Sequence, residues 1–200
     1  MPAVGILALQ GDVAEHAAAL RRAGAQPVEV RLPAQLDALD GLIIPGGEST
    51  AIGKLMAQWG LLEPLRERIA AGLPVWGTCA GAILLARDVL DALPGQPLLA
   101  VMDITVRRNA FGRQLQSFAT TLDVPAIGGP PLPAVFIRAP RIEAVGAAAE
   151  VLARLADGTI VAARQGALLA TSFHPELTGD ARFHRLFLSG LRQTLPTAVR

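Results

Sequence analysis

The chain opens on an unbroken apolar run, Ala3-Val4-Gly5-Ile6-Leu7-Ala8-Leu9, with no polar alternation. That is the pattern of a strand covered on both faces, as in a parallel sheet. Gln10-Gly11 ends the run. Asp12, with Glu15 three positions on, reads as the capped start of a helix whose inner stripe is Val13, His16 or Ala17, Leu20 and Ala23, and whose stop is Gly24. Val28 and Val30 mark a short second strand, and Gly41-Leu42-Ile43-Ile44-Pro45 a third that stops at Gly46-Gly47. Ser49 or Thr50 would cap a helix carrying Ile52, Leu55 and Met56; a further helix over about 61–71, closed by Gly72, leads into the apolar run Leu73-Pro74-Val75-Trp76. Strands alternating with helices predict an α/β domain, a mostly parallel sheet with helices on both faces. After the helix-like run Ala82-Ile83-Leu84-Leu85-Ala86 the pattern changes. Pro94, Pro97, Pro125, Pro130, Pro131, Pro133 and Pro140 punctuate strand-like runs at 101–106, 114–122 and 134–137, which predicts antiparallel or edge strands. Further strands fill 151–171, and a last helix covers about 179–194.

Two hundred residues make one domain over 1–200, enough to bury about two-thirds or more of the unfolded surface. A net charge of +1, with no Lys/Arg cluster interleaved with aromatics, argues against nucleic acid as a partner. No run approaches the roughly 18 residues of a membrane span, and Met1-Pro2-Ala3-Val4 lacks the basic start of a leader. The single cysteine cannot form an internal disulfide, and a reactive thiol is expected in the reducing cytoplasm.

That cysteine lies in Gly77-Thr78-Cys79-Ala80-Gly81, between a short apolar run and a helix-like one. Small residues on both sides permit the sharp strand-to-helix turn that lifts a nucleophile out at a strand end, and a thiolate there is favoured by unpaired N–H groups at the helix start. An isolated cysteine is also commonly a small buried hydrophobe. The second informative stretch, Phe173-His174-Pro175-Glu176, follows the apolar run Ala167-Leu168-Leu169-Ala170. Alternate residues of an extended segment project together, so Glu176 could orient the His174 imidazole, with Pro175 stiffening the backbone between them. Singly, each residue has an ordinary structural reading; together they compose a Cys-His-Glu triad. The paired glycines of Pro45-Gly46-Gly47-Glu48-Ser49-Thr50 permit close backbone approach to a ligand, as in half of an oxyanion hole.

At these residues the chain resembles class I glutamine amidotransferases over nearly its full length, and within them the glutaminase subunits of pyridoxal 5′-phosphate synthase. The elbow and the His-Pro-Glu stretch are common to the class. Gly5-Ile6-Leu7-Ala8-Leu9-Gln10-Gly11-Asp12, Gly46-Gly47-Glu48-Ser49-Thr50, Arg108-Asn109-Ala110-Phe111-Gly112-Arg113-Gln114 and Ile137-Arg138-Ala139-Pro140 are similar to the subunit in particular. The resemblance implies a three-layer, flavodoxin-like fold and hydrolysis of L-glutamine through a thioester. Cys79 would be nucleophile, His174 base and then acid, and Glu176 its orienter; the N–H groups of Gly47 and Ala80 would form the oxyanion hole. Gly46, Gly47, Glu48, Arg108, Ile137 and Arg138 would surround the glutamine. It implies no cofactor and no metal. The ammonia would pass to a (β/α)8-barrel synthase assembled as a double ring, each barrel carrying one glutaminase at its N-terminal mouth, and Gln10 is expected in the contact that switches the oxyanion hole on. Arg107 departs from the family pattern, which has an acidic residue there, and Gly128-Gly129-Pro130-Pro131 reads as a surface loop peculiar to this chain. The alternatives are a glutaminase serving another synthase, a non-glutaminase elbow-cysteine protein, and a regulatory subunit without turnover.

Overall fold

The computed structural model describes residues 1–108 and 117–194. Residues 109–116, which hold most of the Arg108–Gln114 motif and the start of the strand expected from 114, lie outside the described residues.

The alternation read from the sequence is realised as β1 (Ala3–Leu7), α1 (Val13–Ala23), β2 (Gln26–Val30), β3 (Gly41–Ile44), α2 (Ser49–Gln58), α3 (Leu62–Ala70), β4 (Val75–Thr78) and α4 (Ala80–Leu85). The second part is strand-rich: β5 (Ala86–Leu90), β6 (Met102–Arg107), β7 (Ser117–Leu122), β8 (Leu132–Ile137), β9 (Arg141–Val145), β10 (Glu150–Arg154), β11 (Ile160–Gln165), β12 (Leu168–Thr171) and finally α5 (Arg182–Thr194). Among the described residues one sheet runs in the order β2-β1-β3-β4-β12-β11-β9-β6-β5, with β10 on β11, and β7-β8 form a separate antiparallel pair. From β2 to β12 all pairings are parallel, Ile43 and Leu169 flanking Trp76 in register. From β12 outward the ladder turns antiparallel through β11, β9 and β6, and β5 closes the edge parallel to β6. The strands β5 and β9 are missing from the sequence reading, β5 because α4 ends after Leu85 and the chain enters it without a turn.

The parallel strands present alternate residues to opposite faces. Val4, Ile6, Ile43, Trp76 and Leu169 pack with α1, α5 and the β7-β8 pair. Leu7, Leu42, Ile44, Val75 and Ala170 pack with α2, α3 and α4 on the other side. On α5, Phe183, Phe187 and Leu191 fall four positions apart and are all buried, the stripe that docks this helix. Gly24 closes α1 in the left-handed region at φ 90°, as the sequence predicts. Among the described residues no helix is long and apolar enough to cross a membrane.

Three layers thus leave one place where several loops meet. The carboxyl ends of β1, β3, β4 and β12 lie side by side, and Gln10–Asp12, Gly46–Glu48, Cys79 and His174 follow them directly.

Candidate active site at the carboxyl ends of the parallel strands

Cys79 sits between β4 and α4 with φ 49° and ψ −102°, a region rarely occupied by a non-glycine residue and worth about 1–3 kcal/mol of strain. Its N–H donates to the carbonyl of Thr171 at 2.8 Å, tying the turn to β12. The glycines on either side are required by packing. A Cβ on Gly77 would overlap the backbone of Gly81, and one on Gly81 would overlap the Ile44 carbonyl of β3. As the first residue of α4, Ala80 has an N–H with no acceptor inside the helix.

His174 follows β12, anchored by its own N–H donating to the Val135 carbonyl of β8 at 2.8 Å. The chain does not continue extended, as the sequence reading assumed; Pro175–Leu177 form a 3-10 turn. That turn still brings Glu176 Oε1 to 2.7 Å from His174 Nδ1. A second carboxylate joins it: Asp12 Oδ2 stands 3.3 Å from the same nitrogen. Asp12 was expected to cap α1 but makes no side-chain bond to the helix, the turn after β1 having brought its carboxylate to the imidazole instead. Burial works against an imidazolium here, yet Asp12, Cys79 and Glu176 outweigh it and push the His174 pKa up to about 12. Burial in turn raises the Glu176 carboxyl above its ordinary value. Gly46 backs the ring: a Cβ there would collide with the His174 imidazole. Asp12, His174 and Glu176 place their ligand atoms within 4.8 Å of one another, a density that could hold a metal ion, but Glu176 already engages Nδ1.

A cavity of about 390 Å³ opens over these groups, lined by Asp12, Gly47, Glu48, Cys79, Arg108, Ile137, Arg138 and His174 among others. Gly46 and Ala80 are buried behind it. The Gly46-Gly47 segment is held by Gln10, an exposed residue that also lines the cavity and whose Oε1 accepts the Glu48 N–H at 2.7 Å. Glu48, rather than Ser49 or Thr50, caps α2: its carboxylate accepts from the N–H groups of Thr50 at 3.1 Å and Ala51 at 2.7 Å. A charged acceptor satisfies two orphan donors where a hydroxyl would serve one. Partial burial opposes ionisation of Glu48, but those bonds and the nearby Arg108 hold its carboxyl below its ordinary value. Arg108 reaches Glu48 Oε1 at 3.2 Å and Gln96 Oε1 at 3.0 Å, and Gln96 donates to Ser49 Oγ at 3.1 Å. Gln96 is a support the sequence did not signal, since it lies in an irregular stretch. Arg138 turns the chain at the rim with φ 42°. Arg107 points elsewhere, to Glu143 at 2.9 Å and Asp91 at 3.0 Å, so its unusual charge is matched outside the cavity. A second cavity, lined by Pro74, Ala167 and Phe187, lies at the opposite strand ends and contains none of these groups.

Residues 6–193 match the model of the SNO glutamine amidotransferase family. The chain belongs to that family. Members similar to it include the pyridoxal 5′-phosphate synthase subunit PdxT of Frankia alni, 63% identical over 193 residues that make up 96% of each chain. The subunit of the same name from Herpetosiphon aurantiacus is 62% identical over 186 residues, 92% of this chain and 98% of the relative. A crystal structure described as a glutamine amidotransferase superposes with a TM-score of 0.90 at 50% identity, covering 94% of this chain and 98% of the other. The Thermotoga maritima PurLQS structure, at a TM-score of 0.69 and 17% identity over 96% of this chain and 99% of that one, shares the fold.

Proposed function

We propose that the chain is the glutaminase subunit of a pyridoxal 5′-phosphate synthase, hydrolysing L-glutamine to L-glutamate and ammonia for a barrel-shaped synthase partner. The observation that carries this reading is the alignment of a strained elbow cysteine with a His174–Glu176 pair of 2.7 Å at the floor of one cavity. The cavity rim offers two cations, Arg108 and Arg138, and two anions, Glu48 and Asp12, which suits the α-carboxylate and α-ammonium of a zwitterionic amino acid.

The chemistry follows from the groups in place. With its pKa pushed up to about 12, His174 carries a proton at neutral pH, beside the Cys79 sulfur, which acts in this cycle as the thiolate. The thiolate attacks the side-chain amide carbon, and the N–H groups of Gly47 and Ala80 receive the oxyanion. His174 gives its proton to the departing nitrogen, so ammonia leaves and a thioester remains. With Cys79 acylated, the imidazole is neutral and takes a proton from water, whose oxygen attacks the thioester. Glutamate departs and the proton returns to the cysteine–histidine pair.

Ammonia in neutral water is mostly protonated and no longer nucleophilic, so the site should deliver it directly to an acceptor. The family resemblance supports a double ring of synthase barrels each bearing one glutaminase, at work in the cytoplasm. Gln10 is the residue through which such a partner would act, because it is exposed yet bonded to the backbone beside Gly47. The test is glutamate release by the purified chain with and without the barrel synthase, beside Cys79→Ala. Stimulation that vanishes in Cys79→Ala is expected, and Gln10→Ala should lose the stimulation. Release that is indifferent to the synthase would remove the partner, and no release in either condition would remove the glutaminase.

A further inference from the structure

The chain has three histidines, and only His174 faces the cavity. The other two, His16 on α1 and His184 on α5, are completely buried directly behind the triad. His16 Nδ1 lies 3.3 Å from His184 Nε2, and His16 Nε2 lies 3.1 Å from Thr78 Oγ1 and 3.5 Å from Glu176 Oε2. Thr78 is the residue before the nucleophile, and Glu176 Oε2 is the carboxylate oxygen that His174 does not use. Among the described residues that oxygen is buried without a hydrogen-bond partner, and His16 Nε2 is the polar atom that faces it.

The tautomers follow from these distances. A bare lone pair on His16 Nε2 would oppose a carboxylate oxygen, so Nε2 carries the hydrogen and Nδ1 accepts. His184 Nε2–H must then be the donor, which leaves as the bare nitrogen His184 Nδ1, buried without a hydrogen-bond partner among the described residues. Trp76 fixes both rings edgewise, with centroids 5.8 Å from His16 and 4.9 Å from His184.

Building on the proposed glutaminase cycle, we infer that His16 is a positioning residue: its Nε2–H steadies Glu176, and through it His174, while holding the strand end that carries Cys79, with His184 setting its tautomer. The role resembles that of the buried acid in a serine triad, one shell further out. Neutrality is what the role requires. Burial, and then His184 and His174, hold the His16 pKa well below 6.5, and burial takes that of His184 down to about 4.

The test compares His16→Leu with His16→Gln in the complex with the barrel synthase. Glutamine places an amide N–H near the former Nε2 and leucine places none. In His16→Leu, kcat for glutamate release should fall on the order of tenfold, with KM for glutamine unchanged because His16 does not line the cavity. His16→Gln should stay within about threefold of the parent, as expected when a donor is retained. His184→Leu and His184→Gln form a second pair one bond further out, with a smaller difference of the same sign, should His16→Leu fail to fold. The proton NMR signal of the His174 Nδ1–H held by Glu176 should move in His16→Leu and stay in His16→Gln, a readout that needs no turnover. Pairs whose members behave alike, both active or both impaired, with an unmoved His174 signal, overturn the inference. An inactive parent indistinguishable from Cys79→Ala overturns instead the glutaminase reading, while the NMR comparison still decides the positioning role.

Discussion

Two carboxylates on one imidazole nitrogen make His174 the most strongly biased residue of the site, and the share of each can be separated. Asp12 is the longer contact, at 3.3 Å against 2.7 Å for Glu176, and it stands on an exposed loop. In Asp12→Ala the imidazole should titrate at lower pH than in the parent, read by NMR of histidine-labelled chain; an unchanged titration would make Asp12 a bystander. The sequence could not point to this contact, because Asp12 before a helix reads as a cap. Cys79, His174 and Glu176 were legible for the opposite reason: a glycine-flanked turn and a His-Pro-Glu stretch are local patterns whose geometry the backbone enforces. His16 and His184, 168 positions apart, meet only through the packing of α1 on α5, and no spacing rule connects them.

At the level of elements, the elbow depends on how closely α4 approaches β3. Gly81→Ala would drive a methyl group into the Ile44 carbonyl, and neither the strand nor the helix can retreat without opening the sheet. Stability should fall by about 1–3 kcal/mol in denaturant titration, with activity lost alongside it. Gly190 is the counter-example, a helical glycine of α5 with open space where a Cβ would go. Gly190→Ala should raise stability by about 0.5–1 kcal/mol. Glu48 joins an element to the site. Glu48→Ala removes the cap of α2, costing about 1 kcal/mol, and also the carboxylate under Arg108, so the unfolding midpoint should drop while KM for glutamine rises. The sequence announced a cap at this helix and chose Ser49 or Thr50 for it; hydroxyl residues are the usual choice, and a carboxylate able to bridge two N–H groups won. The β5 strand escaped for a related reason, since an apolar run entering a strand directly from a helix carries no glycine or proline to mark the change.

For the whole molecule, three histidines of opposite bias place maximal stability near neutral pH. His184, with a folded value of about 4, and His16, also below 6.5, bind protons more readily in the unfolded chain. Stability therefore rises with pH across the window from about 4 to about 6.5, by up to about 1.4 kcal/mol per unit for each, and is lost on acidification through that window. His174 has the reverse sign: its contribution is complete below about 6.5 and is lost as pH climbs toward about 12. Urea midpoints at about pH 4.5, 6.5 and 8.5 should peak at the middle value, and His184→Gln should flatten the acid side. The parallel half of the sheet was readable throughout, since runs covered on both faces leave no ambiguity. In the other half β6, β10 and β11 were readable only as strands and β5 and β9 not at all, because which edge each one joins is decided by packing across the sheet. One consequence of that division concerns inheritance. Ile137 and Arg138 come from the end of β8, in a two-stranded piece outside the main sheet, and the backbone bond from His174 to Val135, with the Phe136–Phe173 ring contact, joins this wall to the triad. One wall of what the site admits thus resides on a piece of architecture apart from the sheet that does the cutting, so descendants of this chain could drift at that wall while leaving intact the machinery that breaks the substrate.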